Sequence, residues 1–335
     1  MADVIDENIY YGLDLTDEIK SCIDSSALVV TDGNVAALYP DLTENAFVIE
    51  AGEKHKTPDT LFSIIRAMHA RGMTRRDRVI ALGGGVVGDV TGLAAALYMR
   101  GVKWVSVPTT LLAMTDSGIG GKTAIDFDGV KNLVGAFHLP CATVVSAKFL
   151  STLPDREWLC GYGELIKTCL LTESSFVLLK QKLGGLLGKN IGEMVGIIEP
   201  CLRIKNDVVK EDPTECGRRK ILNVGHTVGH ALESIDGYAL SHGEYVLKGM
   251  MTECAMCKEY IDGEFYSEIL EIFKSFTSPP RSTAKFVCEK AKSDKKNADG
   301  LISIMFPVRA GEITEIKLSP DEFTERYTAA IKDLK

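Results

Sequence analysis

Three of the six histidines of this 335-residue chain lie close together, at His226, His230 and His242. His226 and His230 are four residues apart, so on a helix the two imidazoles share one face. Converging imidazoles suit a divalent metal such as zinc, which often takes a carboxylate as third ligand and keeps one position open for substrate. A single histidine is more often a core or surface residue, but three in one short, glycine-flanked stretch favour a metal site.

The third metal ligand is not fixed by spacing. Glu164, in the segment GYGELIK (161–167), is a candidate, but 46 acidic residues are present and a solvated helix carboxylate is the simpler interpretation of Glu164 by itself. Cys254 and Cys257 form a single CxxC in a helical pattern. Because a zinc ribbon needs a second such pair, we interpret both cysteines as core residues.

A glycine-rich turn (GGGVVGD, 83–89) follows the strand-like run RVIAL and opens an apparent helix. Such glycines let a pyrophosphate approach the backbone, and the helix N-terminus favours its negative charge. A tight turn is the alternative interpretation, since the acidic residue usual some twenty positions later is missing. Asp32 follows an earlier strand instead, which indicates a nucleotide site with its parts in an unusual order.

Basic residues are concentrated in polar segments. Lys122 follows a double glycine, and Lys131 and Asn132 lie in the same Gly- and Asp-rich stretch, which we interpret as a polar loop able to hold an anion. The stretch is not a P-loop, because Asp116 stands where that motif needs glycine. Lys205, Arg219 and the segment DKKN (294–297) add further cations, each of which could equally be a surface charge.

The elements that must position these residues change character along the chain. Five strand-like runs (27–31, 46–50, 78–82, 102–107 and 142–145) alternate with helical patterns in the first half, one of which begins with Thr57 as N-cap and Pro58 as first residue. This alternation predicts a Rossmann-like α/β nucleotide-binding domain with a mostly parallel sheet over residues 1–152. Helical periodicity predicts a mostly α-helical metal- and substrate-binding domain over 153–335, with one β-hairpin within 302–317.

Charge and composition exclude several classes of protein. The formal net charge is -8 with no basic tail, which argues against nucleic acid or an anionic membrane as partner. The N-terminus lacks the features of a signal peptide, and the longest apolar stretch (79–99) is interrupted by glycines and Asp89. Nine scattered cysteines indicate reduced thiols and a cytoplasmic protein.

Six segments taken together resemble the 3-dehydroquinate synthase family, over about residues 32–297: GGGVVGDVTGLAAALYMRG, VPTTLLAMTDSGIGGKTAID, GYGELIK, LNVGHTVGHALE, HGE and DKKN. The resemblance implies a dehydroquinate synthase-like fold and a homodimer that uses NAD and one divalent metal, usually zinc, with cobalt as an alternative. It also implies conversion of 3-deoxy-D-arabino-heptulosonate 7-phosphate into 3-dehydroquinate and phosphate, in the shikimate pathway to the aromatic amino acids.

The same resemblance assigns the site residues. It implies Glu164, His226 and His242 as metal ligands and turns His230 towards the substrate phosphate. Catalytic groups near the substrate hydroxyls would be Asp116, Lys167 and Glu215, together with His230. The carboxylate would be held by Lys205 and Arg219, and the phosphate by Lys122, Asn132, Asn223 and Lys295 (in preference to Lys296). Lys131 would also bind substrate, and Arg100 would reach the neighbouring subunit's site. NAD contacts would be Asp32, Asn34, Glu53, Lys56, Gly84, Gly85, Val86, Asp89, Thr109, Thr110, Lys122, Lys131, Phe149 and Thr152.

Two positions depart from the family pattern, with Gly118 where serine is common and Gly163 where alanine is common, and neither carries obvious chemistry. Three other functions remain as alternatives. A metal-dependent polyol dehydrogenase would release NADH and has no need of the anion-binding set. A sugar-phosphate cyclase with a non-carboxylate substrate is disfavoured by Lys205, Arg219, Asn223 and Lys295. A non-catalytic nucleotide-binding regulator need not keep an open metal site.

Overall fold

The computed structural model describes residues 2–213, 217–237, 239–292 and 300–335. It divides into two compact units: unit 1 comprises the chain through Pro154 together with Lys189–Asp207, and unit 2 comprises Asp155–Gly188 and Val208–Lys335. The first segment of unit 1 ends two residues after the boundary proposed from the sequence. The sequence did not anticipate that unit 1 also takes in a helical segment from the second half of the chain.

The described strands and helices follow one another along the chain. The strands are β1 (Asp3–Asp6), β2 (Ile9–Gly12), β3 (Ala27–Asp32), β4 (Phe47–Ile49), β5 (Arg78–Gly83), β6 (Lys103–Pro108), β7 (Lys122–Phe127), β8 (Val130–Phe137), β9 (Ala142–Ser146), β10 (Ile302–Arg309) and β11 (Glu312–Leu318). The helices are α1 (Thr16–Cys22), α2 (Gly33–Leu38), α3 (Pro40–Thr43), α4 (Pro58–Ala70), α5 (Gly85–Leu97), α6 (Asp155–Cys169), α7 (Glu173–Leu187), α8 (Ile191–Glu211), α9 (His226–Ile235), α10 (His242–Met256), α11 (Gly263–Phe276), α12 (Ala284–Lys292) and α13 (Pro320–Asp333).

Unit 1 is built on a seven-stranded sheet in the order β1-β2-β9-β6-β5-β3-β4. Every neighbouring pair is parallel except β1 with β2. The mostly parallel, Rossmann-like sheet predicted from the alternating pattern is therefore confirmed. β4 lies on one side of β3 and β5 on the other, so the strand order reverses beside β3, and the crevice at such a point is where open α/β sheets bind ligands.

Helix α4 shows how local sequence builds this unit. The Thr57 side chain accepts a hydrogen bond from the backbone N–H of Thr60, and Pro58 occupies the first turn, as the sequence predicted. Leu61, Ile64 and Met68 are buried in one core with side chains of β3, β5 and α5. That core fixes the position of α5, which follows the glycine-rich turn.

The interpretation of the stretch that holds Lys122, Lys131 and Asn132 as a polar loop was wrong, because β7 and β8 form a β-hairpin there. Asp128 and Gly129 take left-handed backbone conformations, with φ of 48° and 76°, and make a two-residue turn. Asp-Gly favours such a turn because both residues tolerate positive φ. The register of the β7–β8 pairing shifts between Ile125 and Phe127. The resulting bulge includes Asn132, whose φ is 52°.

Unit 2 is mostly helical, as predicted, with a hairpin of β10 and β11. Helix α10 packs against α6, α9, α11 and α13 and lies at the centre of this group. Its residues Val246, Leu247, Met250 and Met251 are buried. None of the described helices combines the length and the apolar character needed to cross a membrane.

Candidate active site

Glycines bring the backbones of three helices of unit 2 into contact. A Cβ on Gly243 in α10 would lie 1.8 Å from the Cys160 carbonyl oxygen in α6, and one on Gly163 would lie 2.3 Å from the Gly243 carbonyl oxygen. Between α10 and α9, a Cβ on Gly249 would lie 1.9 Å from the carbonyl oxygen of Gly225. No side chain fits at these positions. Gly163, which carried no obvious chemistry in the sequence, is thus required for the close approach of α6 and α10.

Each predicted metal ligand is the chain neighbour of one of these glycines, and the three ligands meet. Glu164 Oε1 lies 3.3 Å from His226 Nε2 and 3.4 Å from His242 Nε2. The ligand nitrogens of His226, His230 and His242 lie within 4.8 Å of one another. Glu164 is 1% exposed and His226 is 9% exposed, so the centre is largely shielded from water.

In the two predicted histidine ligands, the second ring nitrogen also has an acceptor. His226 Nδ1 lies 3.1 Å from the Val224 carbonyl oxygen, and His242 Nδ1 lies 3.4 Å from Glu233 Oε2. With Nδ1 as donor, each Nε2 presents a lone pair towards Glu164 Oε1, which accepts no hydrogen bond from the described residues. Three acceptor atoms converging without a donor are stabilised by a cation. The residues present therefore fit a divalent metal.

The pKa values of Glu164 and His242 agree with this demand for positive charge, whereas that of His226 keeps its imidazole neutral, the form in which it can bind a metal. Burial acts to raise the pKa of Glu164, but Lys167 and His226 outweigh burial and hold that pKa well below its usual range. Burial, and then the charge of Lys167, lower the pKa of His226 to about 3. For His242 burial is opposed by Glu164 and Glu233, which raise its pKa to about 9.

Lys167 and His230 adjoin the same centre. Lys167 is 1% exposed, and its Nζ forms an ion pair with Glu164 Oε2, one turn along α6. The His230 ring centroid is 5.1 Å from that of His226 and 5.8 Å from that of His242. Two predicted catalytic or substrate-binding residues, Glu215 and Lys295, lie outside the described residues.

Arg219 lies on the segment between α8 and α9 and is 1% exposed. Asp212 holds this segment, since its Oδ2 accepts hydrogen bonds from the N–H groups of Gly217 (2.7 Å) and Arg219 (3.0 Å). Arg219 Nη1 donates to the Pro213 carbonyl oxygen at 2.9 Å, whereas Nε and Nη2 have no partner among the described residues. A buried guanidinium with two unpartnered donor atoms matches the geometry of a carboxylate. Asn223 ends the adjoining 3₁₀ turn, Arg218–Asn223.

The nucleotide-binding candidates of unit 1 come together at the point where the strand order reverses. Asp32 ends β3, and its Oδ1 accepts the N–H groups of Asn34 (2.9 Å) and Val35 (3.1 Å) at the start of α2. β5 lies beside β3, with Leu82 paired to Thr31, so Asp32 adjoins the glycine-rich turn. Two candidate parts of a nucleotide site that are far apart in the sequence are therefore neighbours in the sheet.

The glycine-rich turn supplies no side-chain cap at the start of α5, because the N-cap residue is Gly84. A Cβ on Gly84 would lie 3.0 Å from Thr110 Cγ2, and one on Gly85 would lie 3.2 Å from Ser117 Oγ. Thr109 follows β6, and its N–H donates to the Gly83 carbonyl oxygen at 3.0 Å. Val86 lies in the first turn of α5. Helix N-terminal amides without covering side chains can hold a pyrophosphate.

A buried polar group lies next to this turn. Lys56, which is 3% exposed, pairs with Asp89 Oδ2 at 2.5 Å and with Asn132 Oδ1. Burial raises the pKa of Asp89 to about 6 despite the opposing charge of Lys56. Asn132 keeps its left-handed backbone in part because its N–H donates to Asp126 Oδ1 at 2.8 Å. Strained residues of this kind cluster at ligand sites.

The remaining candidates of unit 1 lie on several of its elements. Thr152 Oγ1 is 2.7 Å from the Tyr39 hydroxyl, and the Phe149 ring meets the Tyr39 ring edge-on at 4.8 Å. Lys205 Nζ forms an ion pair with Asp116 Oδ1. Glu53 begins a 3₁₀ turn, Glu53–His55, whereas Lys122 and Lys131 lie on the β7–β8 hairpin.

Three residues of these sites were not predicted from the sequence. Tyr39 and Asp212 carry no motif that would single them out. Glu233 had a usable signal, because it ends the segment LNVGHTVGHALE three residues after His230 and so shares its helix face.

Arg100 stands apart, on an exposed turn after α5. Met99 and Arg100 both have left-handed backbones, with φ of 50° and 66°. Arg75 Nε donates to the Met99 carbonyl oxygen at 2.8 Å and so helps to hold the turn. Two consecutive non-glycine residues with positive φ are costly, of the order of 1–3 kcal/mol each.

Comparison with known proteins gives one consistent result. The model for the 3-dehydroquinate synthase N-terminal domain matches residues 46–160, and the model for the C-terminal domain matches residues 161–297. The chain is 36% identical over 346 residues to the 3-dehydroquinate synthase of Alkaliphilus metalliredigens, covering 97% of each chain. It is 39% identical over 301 residues to that of Saccharophagus degradans, covering 85% of this chain and 83% of the relative.

Among solved structures, 2-epi-5-epi-valiolone synthase from Streptomyces hygroscopicus subsp. jinggangensis 5008, with NAD⁺ and Zn²⁺ bound, superposes with a TM-score of 0.87. The two chains are 25% identical, and the match covers 99% of this chain and 98% of the other. Both family models together span most of the sequence and include the described histidine centre and the glycine-rich turn. The chain belongs to the 3-dehydroquinate synthase family.

Proposed function

We propose that the protein converts 3-deoxy-D-arabino-heptulosonate 7-phosphate into 3-dehydroquinate and phosphate, with NAD and a divalent metal as resident cofactors. The observation that supports this choice is Arg219, a buried guanidinium in the same unit as the histidine centre, whose Nε and Nη2 have no partner among the described residues. A polyol has no carboxylate to satisfy such a group, whereas the heptulosonate has one. Leaving these donors unpaired would be costly if the substrate lacked an anion.

The metal proposal rests on Glu164, His226 and His242 as ligands, with zinc first and cobalt second because imidazole and carboxylate donors suit both. The NAD proposal rests on Asp32, as partner of the ribose hydroxyls, and on the amides of the glycine-rich turn. Zn²⁺ and NAD⁺ are bound in the related valiolone synthase. Held by these residues, NAD would supply a reversible hydride acceptor for the C5 hydroxyl carbon, and the metal would supply a Lewis acid for the C5 oxygen.

The chain's own residues bind and orient the substrate in this proposal. Arg219 holds the carboxylate, and the charge of Lys167 beside the centre favours loss of the C5 hydroxyl proton. Asn223 and His230 hold the phosphate end, so that both anionic ends are fixed and positioning supplies much of the rate. The departing phosphate can itself take the proton that elimination removes, which is consistent with the absence of an assigned base for that step.

The remaining assignments from the family stay part of the proposal. Asp116 and Glu215 are catalytic groups, while Lys122, Lys131, Asn132, Lys205 and Lys295 bind substrate. The NAD contacts include Asn34, Glu53, Lys56, Val86, Asp89, Thr109, Thr110, Phe149 and Thr152. Among these residues, Lys56 and Asp89 form a largely buried ion pair, which supports a role in a binding site rather than at the protein surface.

We further propose a homodimer in which Arg100 reaches the neighbouring site. Support comes from its strained, exposed turn and from apolar side chains left exposed nearby. His138 Nε2 lies 2.9 Å from the Val102 carbonyl oxygen, so the end of β8 adjoins this turn, and Phe137 (59%) and Leu139 (64%) are exposed there. A second copy would cover these side chains.

Mixing two inactive variants tests the dimer proposal. Arg100→Ala and His226→Ala chains, unfolded and refolded together, should recover about a quarter of wild-type activity, because half the dimers carry one complete site. Recovery of no activity from chains that form mixed dimers would contradict the reach of Arg100. A monomer by light scattering would contradict the dimer itself.

We also propose a cytoplasmic location. The cysteines of the described residues are free thiols, which fits a reducing compartment. Cell fractionation followed by the activity assay below tests this, and activity confined to a membrane or secreted fraction would contradict it.

A coupled assay tests the activity. Purified protein receives NAD, Zn²⁺ and the heptulosonate phosphate, and phosphate release is followed together with absorbance of NADH. Phosphate release without net NADH supports the cyclase, because the hydride is returned within one turnover. Net NADH without phosphate would indicate a dehydrogenase. No signal in either channel, with turnover of a non-carboxylate sugar phosphate instead, would indicate another cyclase.

A further inference from the structure

Glu253 is a fully buried carboxylate in α10 that bonds the start of the neighbouring helix. It is 0% exposed. Its Oε2 accepts the N–H of Gly225 at 2.7 Å, and its Oε1 accepts the N–H of Val228 at 2.7 Å. Neither the family resemblance nor the reaction assigns it a role.

The two bonded N–H groups are those that a capping box normally satisfies. Gly225 is the N-cap of α9 and Val228 is its third helical residue. In a capping box the N-cap side chain accepts the third N–H, and the third side chain accepts the N-cap N–H. α10 begins with such a box, formed by Ser241 and Glu244. In α9 a single carboxylate from another helix replaces both parts.

Helix α9 cannot cap itself because its N-cap position excludes a side chain. Gly225 has φ of +79°, and a Cβ there would lie 2.4 Å from Met250 Cγ and 2.7 Å from the Val246 carbonyl oxygen. The close packing that brings the predicted ligands together thus removes the local cap. Glu253 supplies the missing acceptors, and its negative charge also suits a helix N-terminus.

The capped turn begins with a predicted metal ligand. His226 is the first residue of α9, and Glu253 bonds the residue before it and the second residue after it. Glu253 and His242 lie on the same helix, so α10 carries one ligand directly and fixes the backbone of another. We infer that Glu253 is a positioning residue that sets His226 against His242 and Glu164, an inference that rests on the proposed metal centre.

Substitutions at position 253 should weaken metal binding in a graded way. Glu253→Gln keeps one acceptor but turns its amide N–H₂ towards a backbone N–H, and Glu253→Ala removes both acceptors. Loss of a group that orients a metal ligand typically weakens binding 10- to 100-fold. We expect the Kd for Co²⁺ to rise about 10-fold in Glu253→Gln and about 100-fold in Glu253→Ala.

The experiment titrates metal-free full-length protein with Co²⁺ alone and follows its visible absorption, which reports coordination geometry as well as affinity. Asp262→Ala is the matched control, because Asp262 Oδ1 caps α11 through the Phe265 N–H at 3.0 Å in the same unit. The control should lose thermal stability like Glu253→Ala but keep the wild-type Kd and spectrum. Titrations are made at a temperature where circular dichroism shows every variant folded.

The outcomes separate this inference from the proposed function. A wild-type Co²⁺ Kd and spectrum in Glu253→Gln, with only a lower Tm, would make Glu253 a structural cap and overturn the inference. If Glu253→Ala does not fold, Glu253→Gln alone decides. Failure of the wild-type protein to bind Co²⁺ would overturn both the metal centre and the inference. Cobalt binding without phosphate release in the coupled assay would count against the proposed reaction alone.

Discussion

Replacement of Arg219 by methionine should separate function from stability, because the side chain is buried and two of its donor atoms have no partner in the part of the chain that the structure describes. A charge-assisted hydrogen bond contributes about 1.5–3 kcal/mol. If both of these donors bind the substrate carboxylate, Arg219→Met should lose about 3–6 kcal/mol of transition-state binding. That loss is roughly a 150- to 25,000-fold fall in kcat/KM at 1.36 kcal/mol per decade.

The same substitution should not destabilise the ligand-free protein. Each buried unsatisfied N–H group costs about 1–3 kcal/mol, while the bond to the Pro213 carbonyl oxygen contributes about 1 kcal/mol. Replacing the cation by an apolar side chain of similar length should therefore leave the free energy of unfolding unchanged or raise it by about 1–3 kcal/mol.

The assay is steady-state phosphate release at low substrate concentration, paired with thermal unfolding of the ligand-free protein. The neighbouring Arg218 provides the control, because its side chain is 58% exposed and pairs with Glu211 at the surface. Arg218→Met should change kcat/KM by less than about 2-fold, since exposed ion pairs contribute little. An Arg219→Met protein with unchanged kcat/KM and a lowered Tm would refute the carboxylate role and make Arg219 a structural residue.

Three further predictions concern the metal and NAD sites. His226→Ala should purify with little bound metal and no turnover, and elemental analysis showing full occupancy would contradict its role as ligand. Gly249→Ala should destabilise the protein by about 2–4 kcal/mol and weaken Co²⁺ binding, because its Cβ would lie 1.9 Å from a carbonyl oxygen of α9. Gly263→Ala, which has open space around it, is the control and should be neutral in thermal unfolding and metal titration alike. Asp32→Asn should keep the Tm, since asparagine also caps helices, but weaken NAD binding about 10-fold by calorimetry, and an unchanged Kd would exclude Asp32 from the site.

The elements of the fold could be predicted largely from local sequence. Two examples are strand β5 (Arg78–Gly83) and the start of α4 at Thr57 and Pro58. Both were predicted from residue spacing and helix capping alone, and both predictions were confirmed. The β7–β8 hairpin was missed because its strand β8 is exposed on both faces, so it lacks the apolar alternation that marks a half-buried strand. Its Asp128-Gly129 turn was the available signal.

The residue types of the candidate site were also evident in the sequence, but their meeting was not. Spacing put His226 and His230 on one helix face, yet it could not select Glu164 from the other acidic residues. That selection depends on contacts between α6, α9 and α10, where glycines far apart in the chain allow backbone to touch backbone. No periodic pattern encodes such a contact.

The sequence by itself determined which functional groups are available: the histidines, a glycine-rich turn, and enough basic side chains to bind an anionic substrate. Only the tertiary structure decided how these groups are used. Strand adjacency placed Asp32 beside a turn some fifty residues later, and burial left Nε and Nη2 of Arg219 without a partner among the described residues. It also made Glu253 the cap of a helix to which it does not belong. These are long-range properties, because burial and hydrogen-bond partners depend on which elements pack together.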